Sequence, residues 1–230
     1  DLNTARHFLG GAGTQTSTLA FAGSVSPQAQ TESWNGSNWT EVNDLNTGRE
    51  RVGGAGTDST NALAFGGYIT TNQNVTESWN GTNWTEVADL NSARRNVGGV
   101  GASNTAALAF GGALPPGSVT AVTELWNGSA WTEVNDLNTS RGNAAGAGVY
   151  TLALAFGGYK PGTTPPYQAV TEDWNGVSWV EVADLSTARF IAGGAGTQAA
   201  ALTFGGETPP VTTATEEWNV PSNTVKTLTD

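Results

Sequence analysis

Few side chains in this chain have the chemistry that enzymes use. His7 is the only histidine and there is no cysteine, so Ser-His-Asp chemistry would have to use His7, and a thiolate nucleophile is excluded. The Gly-x-Ser-x-Gly nucleophile elbow is also absent from the sequence. We therefore expect a non-enzymatic protein without a metal or cofactor, and a hydrolase built on His7 or Glu50 is the least favoured interpretation.

The charged residues recur at fixed places, which argues against a single catalytic pair of carboxylates of the glycosidase kind. One arginine lies five positions after the aspartate of each Asp-Leu pair, and one glutamate is the second residue of each Thr-Glu-x-Trp motif. These residues are Arg6, Arg49, Arg94, Arg141, Arg189, Glu32, Glu77, Glu124, Glu172 and Glu216. We expect them to be structural partners, and the alternative is a ring of Arg–Glu pairs that binds an anion or a sugar near the axis of the fold.

The composition excludes several classes of partner. The net charge is -11 with only nine lysines and arginines, which cannot form the basic stripe that nucleic acid requires. No run of 18 apolar residues is present, so membrane insertion is not expected. The lack of both cysteine and methionine removes the usual targets of oxidation, which suits an extracellular or virion-surface location.

The recurring residues divide the chain into five copies of one unit, 1–43, 44–88, 89–135, 136–183 and 184–230. Each unit contains a Gly-rich stretch, a Leu-x-Phe stretch with the alternation of a strand, Thr-Glu-x-Trp and, in the first four units, Trp-x-Glu-Val. In those four units an Asn-Gly pair separates the last two stretches, as in a tight hairpin. Four-stranded units of about 45 residues are typical of propeller blades. The sequence therefore predicts an all-β, five-bladed β-propeller that forms one domain over residues 1–230.

Side-chain size predicts the radial order of the strands. Strands crowd one another near the axis, so the Gly-rich stretch should be innermost, and the nine tryptophans should fill the wider space between the outer parts of the blades. A buried tryptophan is a large contribution to a core. We expect Trp79→Ala to destabilise the fold by about 3–5 kcal/mol if that indole is buried.

The order of these landmarks resembles the kelch repeat over the whole chain. Arginine precedes the inner strand, Gly-Gly closes the second strand, an aromatic residue lies in the third and tryptophan in the fourth. Two features depart from the kelch pattern: the third-strand aromatic is tryptophan where kelch repeats usually have tyrosine, and the first unit has Ala22-Gly23 for Gly-Gly. The amino-acid sequence of the repeat is also similar to repeats in structural proteins of aquatic phages and uncultured marine microbes.

The variation between units indicates where binding could occur. Length changes fall almost wholly in the loop between the second and third strands, at 24–30, 68–75, 113–122, 159–170 and 207–214. The two residues after each arginine also differ, and both sets should open on one face at the channel mouth. Variable loops on a rigid scaffold often bind ligands, although tolerated insertions accumulate in the same places. The candidate binding residues are His7, Glu50, Arg51, Tyr68, Arg95, Tyr159, Lys160 and Tyr167.

The last unit differs from the others because its outer-strand segment, 220–226, lacks Asn-Gly and the second tryptophan. That segment is either a frayed terminus or a strand with a different neighbour, and the ring must close by packing of unit five on unit one or through a partner. The favoured function is a structural or adhesive propeller on a virion, fibre or cell surface that contacts protein or glycan through its variable loops. The alternative is a subunit that assembles with copies of itself into a filament or particle.

Overall fold

The computed structural model of this chain is all-β and describes residues 1–24 and 29–220. Five antiparallel sheets are arranged as the blades of a propeller, and each predicted unit contributes one of them. In chain order the strands are β1 Gly10–Thr14, β2 Ser17–Phe21, β3 Thr31–Trp34, β4 Trp39–Val42, β5 Gly53–Asp58, β6 Asn61–Phe65, β7 Thr76–Trp79, β8 Trp84–Val87, β9 Gly98–Ser103, β10 Ala106–Phe110, β11 Ala113–Leu114, β12 Ser118–Val119, β13 Thr123–Trp126, β14 Trp131–Val134, β15 Ala145–Val149, β16 Leu152–Phe156, β17 Thr171–Trp174, β18 Trp179–Glu181, β19 Gly193–Gly196, β20 Ala200–Phe204 and β21 Thr215–Asn219.

The strand order within each blade follows the sequence. Blades one, two and four are ordered β1-β2-β3-β4, β5-β6-β7-β8 and β15-β16-β17-β18. Blade three is ordered β9-β10-β13-β14, and β11 and β12 form a separate small hairpin in its long loop. Blade five shows β19-β20-β21, and the predicted anomaly of its outer strand falls mainly on residues 221–230, outside the described residues.

The Gly-rich strands are innermost, as predicted from residue size. β1, β5, β9, β15 and β19 pack side by side in that order, and glycines of blades one, two, three and five line a central cavity of about 330 Å³. A Cβ atom on Gly54 would lie 2.6 Å from the carbonyl oxygen of Gly11, and one on Gly99 would lie 2.6 Å from that of Gly54. Because real side chains do not approach so closely, glycine is needed where one inner strand meets the next.

In blades two, three and four both tryptophans are buried between neighbouring blades. In blade two, Trp79 and Trp84 are 1% and 5% exposed, and their ring centroids lie 5.4 Å apart. Trp84 also meets Phe21 of blade one edge to face at 5.1 Å, and its Nε1 donates a hydrogen bond to Thr31 Oγ1 at 3.0 Å. The indole of Trp84 therefore fills the core, and its nitrogen has a hydrogen-bond partner there.

The recurring arginines and glutamates are structural partners. Arg94 is fully buried and donates to Glu124 Oε1 at 2.8 Å and to the carbonyl oxygens of Gly111 and Val122. Burial lowers the pKa of Arg94, and the carboxylate of Glu124 opposes that shift. The other Oε of Glu124 accepts from the backbone nitrogen of Asn91 at 2.7 Å. In blades one to four the side chains of both partners are buried and hydrogen-bonded inside one blade, and only Glu216 of blade five is partly exposed, which argues against the alternative of an anion-binding or sugar-binding ring.

The Asp-Leu pair that marks each unit is also structural. Asp89 Oδ1 accepts a hydrogen bond from the backbone nitrogen of Thr76 at 3.2 Å, and Leu90 is 1% exposed in the core. Asp44, Asp136 and Asp184 make the equivalent bond to the threonine that opens the third strand of their preceding blade. The pair therefore fixes the connection from one blade to the next.

Candidate functional site

The loop between the second and third strands lies beside the residue that follows the buried arginine. Antiparallel bridges join Glu50 to Tyr68, Gly142 to Tyr159 and Phe190 to Glu207, with backbone N–O distances of 2.8–3.2 Å. The variable loops and the channel mouth therefore share one side of the propeller, as the sequence predicted. We call this side the loop face: the residues directly after each buried arginine together with the loops between the second and third strands.

A belt of backbone hydrogen bonds surrounds the channel mouth on the loop face. The nitrogens of Arg51, Asn96 and Asn143 donate to the carbonyl oxygens of Phe8, Arg51 and Asn96 at 2.8–3.0 Å. Phe8, Arg51, Asn96, Asn143 and Ile191 all have φ between 54° and 59°. In Arg51, Asn96 and Asn143 the left-handed conformation accompanies a bond from the nitrogen to the preceding blade, so this backbone geometry serves the scaffold.

An aromatic cluster forms where blades four and five meet. Tyr167 stacks on Phe190 with a centroid distance of 5.2 Å and an interplanar angle of 13°. Tyr159 lies 5.6 Å from Phe190 and 6.3 Å from Tyr167. All three rings are only partly buried, so they present an aromatic surface to solvent.

Two arginines on the loop face are held over aromatic rings. The guanidinium carbon of Arg51 lies 4.2 Å from the ring centroid of Phe8, and its Nε lies 3.1 Å from Glu50 Oε1. The guanidinium carbon of Arg95 lies 4.8 Å from the ring centroid of Tyr68. Cation–π contacts of this kind hold the arginine side chain in one orientation. Less side-chain entropy is therefore lost when a ligand binds.

Asn72 holds the second arginine from another side. Its Oδ1 accepts from Arg95 at 3.3 Å while its Nδ2 donates to the carbonyl oxygen of Ala113 at 2.7 Å. Asn72 is 9% exposed, and both the oxygen and the nitrogen of its side-chain amide form hydrogen bonds within the protein. Arg95 is therefore oriented before any ligand arrives.

These groups meet in a cleft of about 330 Å³, which we call the loop-face cleft. The lining includes the aromatic residues Tyr159 and Phe190 together with polar residues. The polar lining residues are Arg51, Arg95, Asn96 and Asn143. The cleft thus combines an aromatic surface with several hydrogen-bond donors, two of them cationic.

The cleft also concentrates the cations of an acidic protein. Arg6, Arg49, Arg94, Arg141 and Arg189 are each paired with a buried or part-buried glutamate within a blade. Within residues 1–24 and 29–220, the remaining cationic side chains of lysine and arginine are Arg51, Arg95 and Lys160, and all three lie on the loop face. A negatively charged ligand would therefore find cationic side chains on this face, and Glu50 already partly balances the charge of Arg51.

The structure brings most, but not all, of the predicted binding residues to the cleft. Arg51, Arg95 and Tyr159 line it, Tyr68 supports Arg95, Glu50 pairs with Arg51, and Tyr167 stacks on the lining residue Phe190. Lys160 follows Tyr159 on the rim, where its backbone nitrogen donates to Pro166. His7 is exposed at the channel mouth, with its ring 4.7 Å from that of Phe8, and does not line the cleft.

Four contributors to this site were not among the predicted binding residues: Asn72, Asn96, Asn143 and Phe190. Three of them lie one or two positions after a buried arginine, where the units differ, so the signal was present in the sequence. Asn72 lies inside a variable loop, and its contact with Arg95 joins two blades, which a repeat pattern does not reveal.

Neither protein-family models nor curated proteins match the sequence of this chain. Among the residues that the structure describes, no group of three or more His, Cys, Asp or Glu side chains is placed to hold a metal ion. In the same residues there is no helix with the length and apolar character needed to cross a membrane.

Proposed function

We propose that this chain is a non-enzymatic binding propeller that recognises a glycan through the loop-face cleft. The observation that carries the proposal is the juxtaposition of the Tyr159–Phe190 surface with Arg51 and Arg95. Sugar rings stack on aromatic faces, and their hydroxyl and carboxylate groups accept hydrogen bonds from arginine and asparagine. Two oriented arginines make a glycan that carries carboxylates the best match.

The proposal includes display on a virion, fibre or cell surface. Support comes from the kelch-like order of the repeat, its similarity to phage structural proteins, and the sulfur-free composition. A rigid propeller with variable loops on one face is compatible with such a role. A protein ligand on the same face is the competing outcome of the test below.

The test is a glycan array that contains matched neutral and carboxylate-bearing sugars, probed with the whole chain. We expect binding to the acidic members, with an affinity reduced at least tenfold in Tyr159→Ala and in Arg95→Ala. Val177→Ser is the matched control, because Val177 is 68% exposed in a turn at the opposite end of blade four. Silence across the array, or equal losses in the control, would refute glycan binding; capture of a protein by the same face would replace it.

A further inference from the structure

Three seams between consecutive blades repeat the same contacts. The phenylalanine of the second strand meets the second tryptophan of the next blade at 5.1–5.2 Å, in the pairs Phe21–Trp84, Phe65–Trp131 and Phe110–Trp179. The same tryptophans donate to Thr31, Thr76 and Thr123 of the preceding blade, each at 3.0 Å. Each of these three seams therefore joins two different surfaces: a leading surface with Leu-x-Phe, and a trailing surface with the tryptophan pair.

The leading surface of blade five is uncovered. Leu202 and Phe204 are 43% and 46% exposed, whereas Leu63 and Phe65 at the same places in blade two are 0% exposed. Thr215, which corresponds to the acceptors Thr31, Thr76 and Thr123, is also exposed. The exposure is not a property of the sequence, because the Leu-x-Phe motif is the same in both blades.

The trailing surface of blade one is uncovered in the complementary way. Trp34 and Trp39 are only partly buried, whereas their counterparts Trp79 and Trp84 are buried. A Cβ on Gly11 would meet no atom of a neighbouring blade, whereas one on Gly54, Gly99 or Gly194 would collide with the preceding blade's carbonyl oxygen. Within residues 1–24 and 29–220, no hydrogen bond, ion pair or aromatic contact joins blade five to blade one. Of the two predicted ways to close the ring, packing of unit five on unit one is not supported by any of these three kinds of contact among the described residues, and closure through a partner remains.

We propose that a second copy of this chain covers these surfaces, with blade five of one copy packed on blade one of the next. The three internal seams show what each surface binds, and blades five and one carry the two complementary surfaces. Phe204 would meet Trp39, and Trp39 Nε1 would donate to Thr215 Oγ1. This inference is independent of ligand binding at the loop-face cleft.

The geometry of such an assembly follows from its symmetry. A contact between two different surfaces is heterologous, so it propagates until the rotation closes or the chain of subunits becomes helical. Gly11 of blade one and Gly194 of blade five line the same central cavity, so the next copy must be displaced along the axis, and the contact between copies uses the two surfaces with that displacement. The expected product is a head-to-tail series of propellers.

Closure of the ring within one chain is the competing arrangement. It would require the internal seams to shift together, and three of them are fixed by the phenylalanine–tryptophan contacts and by the hydrogen bonds to Thr31, Thr76 and Thr123. Interiors packed in this way resist continuous deformation. A second copy covers both surfaces without changing any internal seam.

The first test is sedimentation of the whole chain over a wide range of concentrations. We expect mass to rise with concentration, and Phe204→Ser to restore the monomer, because Phe204 is exposed and its loss removes the contact without opening a core. Val177→Ser, also an exposed apolar residue, should assemble like the unmodified chain. A strictly monomeric chain, or equal effects of both variants, would overturn the proposal.

The second test uses the absence of cysteine to distinguish the two arrangements. Ser17 Oγ and Ser59 Oγ lie 2.9 Å apart across the seam of blades one and two, and the corresponding positions at the open seam are Ala200 and Gln15. A mixture of Ala200→Cys and Gln15→Cys chains should give a disulfide-linked dimer that neither variant gives alone. The positive control is the double variant Ser17→Cys with Ser59→Cys, which should cross-link within one chain. A double variant of Ala200→Cys with Gln15→Cys that stays monomeric with an internal disulfide would show that the ring closes on itself.

Discussion

At the scale of the residue, the five left-handed positions at the channel mouth carry different side chains in the same strained backbone conformation. Asn96 and Asn143 occupy the left-handed region that asparagine tolerates, whereas Ile191 occupies it with φ of 54° despite its β-branch. Ile191 is also 44% exposed, so little packing compensates for the strain. We expect Ile191→Asn to stabilise the chain by about 1 kcal/mol, since a left-handed conformation costs a branched residue about 1–2 kcal/mol.

The measurement for Ile191→Asn is the free energy of unfolding in urea. Asn143→Ile is the reciprocal control and should destabilise by a similar amount. An unchanged or lower stability of Ile191→Asn would mean that Ile191 makes contacts that outweigh its backbone strain.

The buried ion pairs give the second prediction at this scale. Arg94 has no access to water, so removing the charge of Glu124 leaves a buried guanidinium without its counter-ion. We expect Glu124→Gln to destabilise by about 3–5 kcal/mol, the usual cost of breaking a buried pair from one side. Glu133→Gln, at the exposed position opposite Glu124 on the adjacent strand β14, is the control and should change stability by about 0.5 kcal/mol or less. Equal effects of the two variants in thermal unfolding would contradict this account.

At the scale of the element, the tryptophan at one position of the repeat contributes different amounts to stability in different blades. Trp79 in β7 is 1% exposed between blades one and two, whereas Trp34 in β3 is only partly buried because no blade covers it. We expect Trp79→Ala to cost about 3–5 kcal/mol, as a cavity in a packed core does, and Trp34→Ala to cost clearly less. Chemical unfolding of the two variants under conditions in which the chain is monomeric would compare them directly. A similar loss in both would show that blade one is covered in solution.

The elements that could be predicted from the sequence are those that one unit specifies by itself. The Gly-rich inner strand, the Leu-x-Phe strand and the Thr-Glu-x-Trp strand lie where the repeat placed them in all five blades, because period and side-chain size depend on local sequence. The hairpin of β11 and β12 was not predicted, since it forms inside a variable loop whose sequence does not repeat in the other units. Its residues include Ala113, whose backbone pairs with Arg95 and so helps to shape the cleft.

The arrangement of the candidate site was predictable in part. Length variation and the residues after each arginine indicated that these segments share one face of the propeller, and the structure places them together there. The stacking of Tyr167 on Phe190 and the bond from Arg95 to Asn72 join two blades, and their geometry depends on how the blades are rotated against each other. Repetition shows that such contacts exist between neighbours, yet it cannot show which side chains meet when the residues differ.

At the scale of the whole molecule, the two end blades have fewer neighbours than the middle ones. A repeat protein derives much of its stability from contacts between adjacent units, so an end unit opens more readily. Blade five lacks a neighbour on its leading surface, and at its seam with blade four the side-chain oxygen of Thr171 is buried without a hydrogen-bond partner among the described residues. In blades one, two and three a tryptophan of the next blade donates to the corresponding threonine.

This difference predicts a gradient of hydrogen exchange along the chain. Amides of β20 in blade five should exchange faster than those of β10 in blade three, although both strands pair on two sides and contain the same Ala-Ala-Leu start. The reason is that opening β20 exposes little additional apolar surface, since Leu202 and Phe204 already contact solvent, whereas opening β10 exposes Leu108 and Phe110. Exchange measured by mass spectrometry at low protein concentration would give the comparison. At high concentration β20 should become protected, because the leading surface is then covered by the next copy; equal protection of both strands at every concentration would argue that blade five is packed on blade one within each chain.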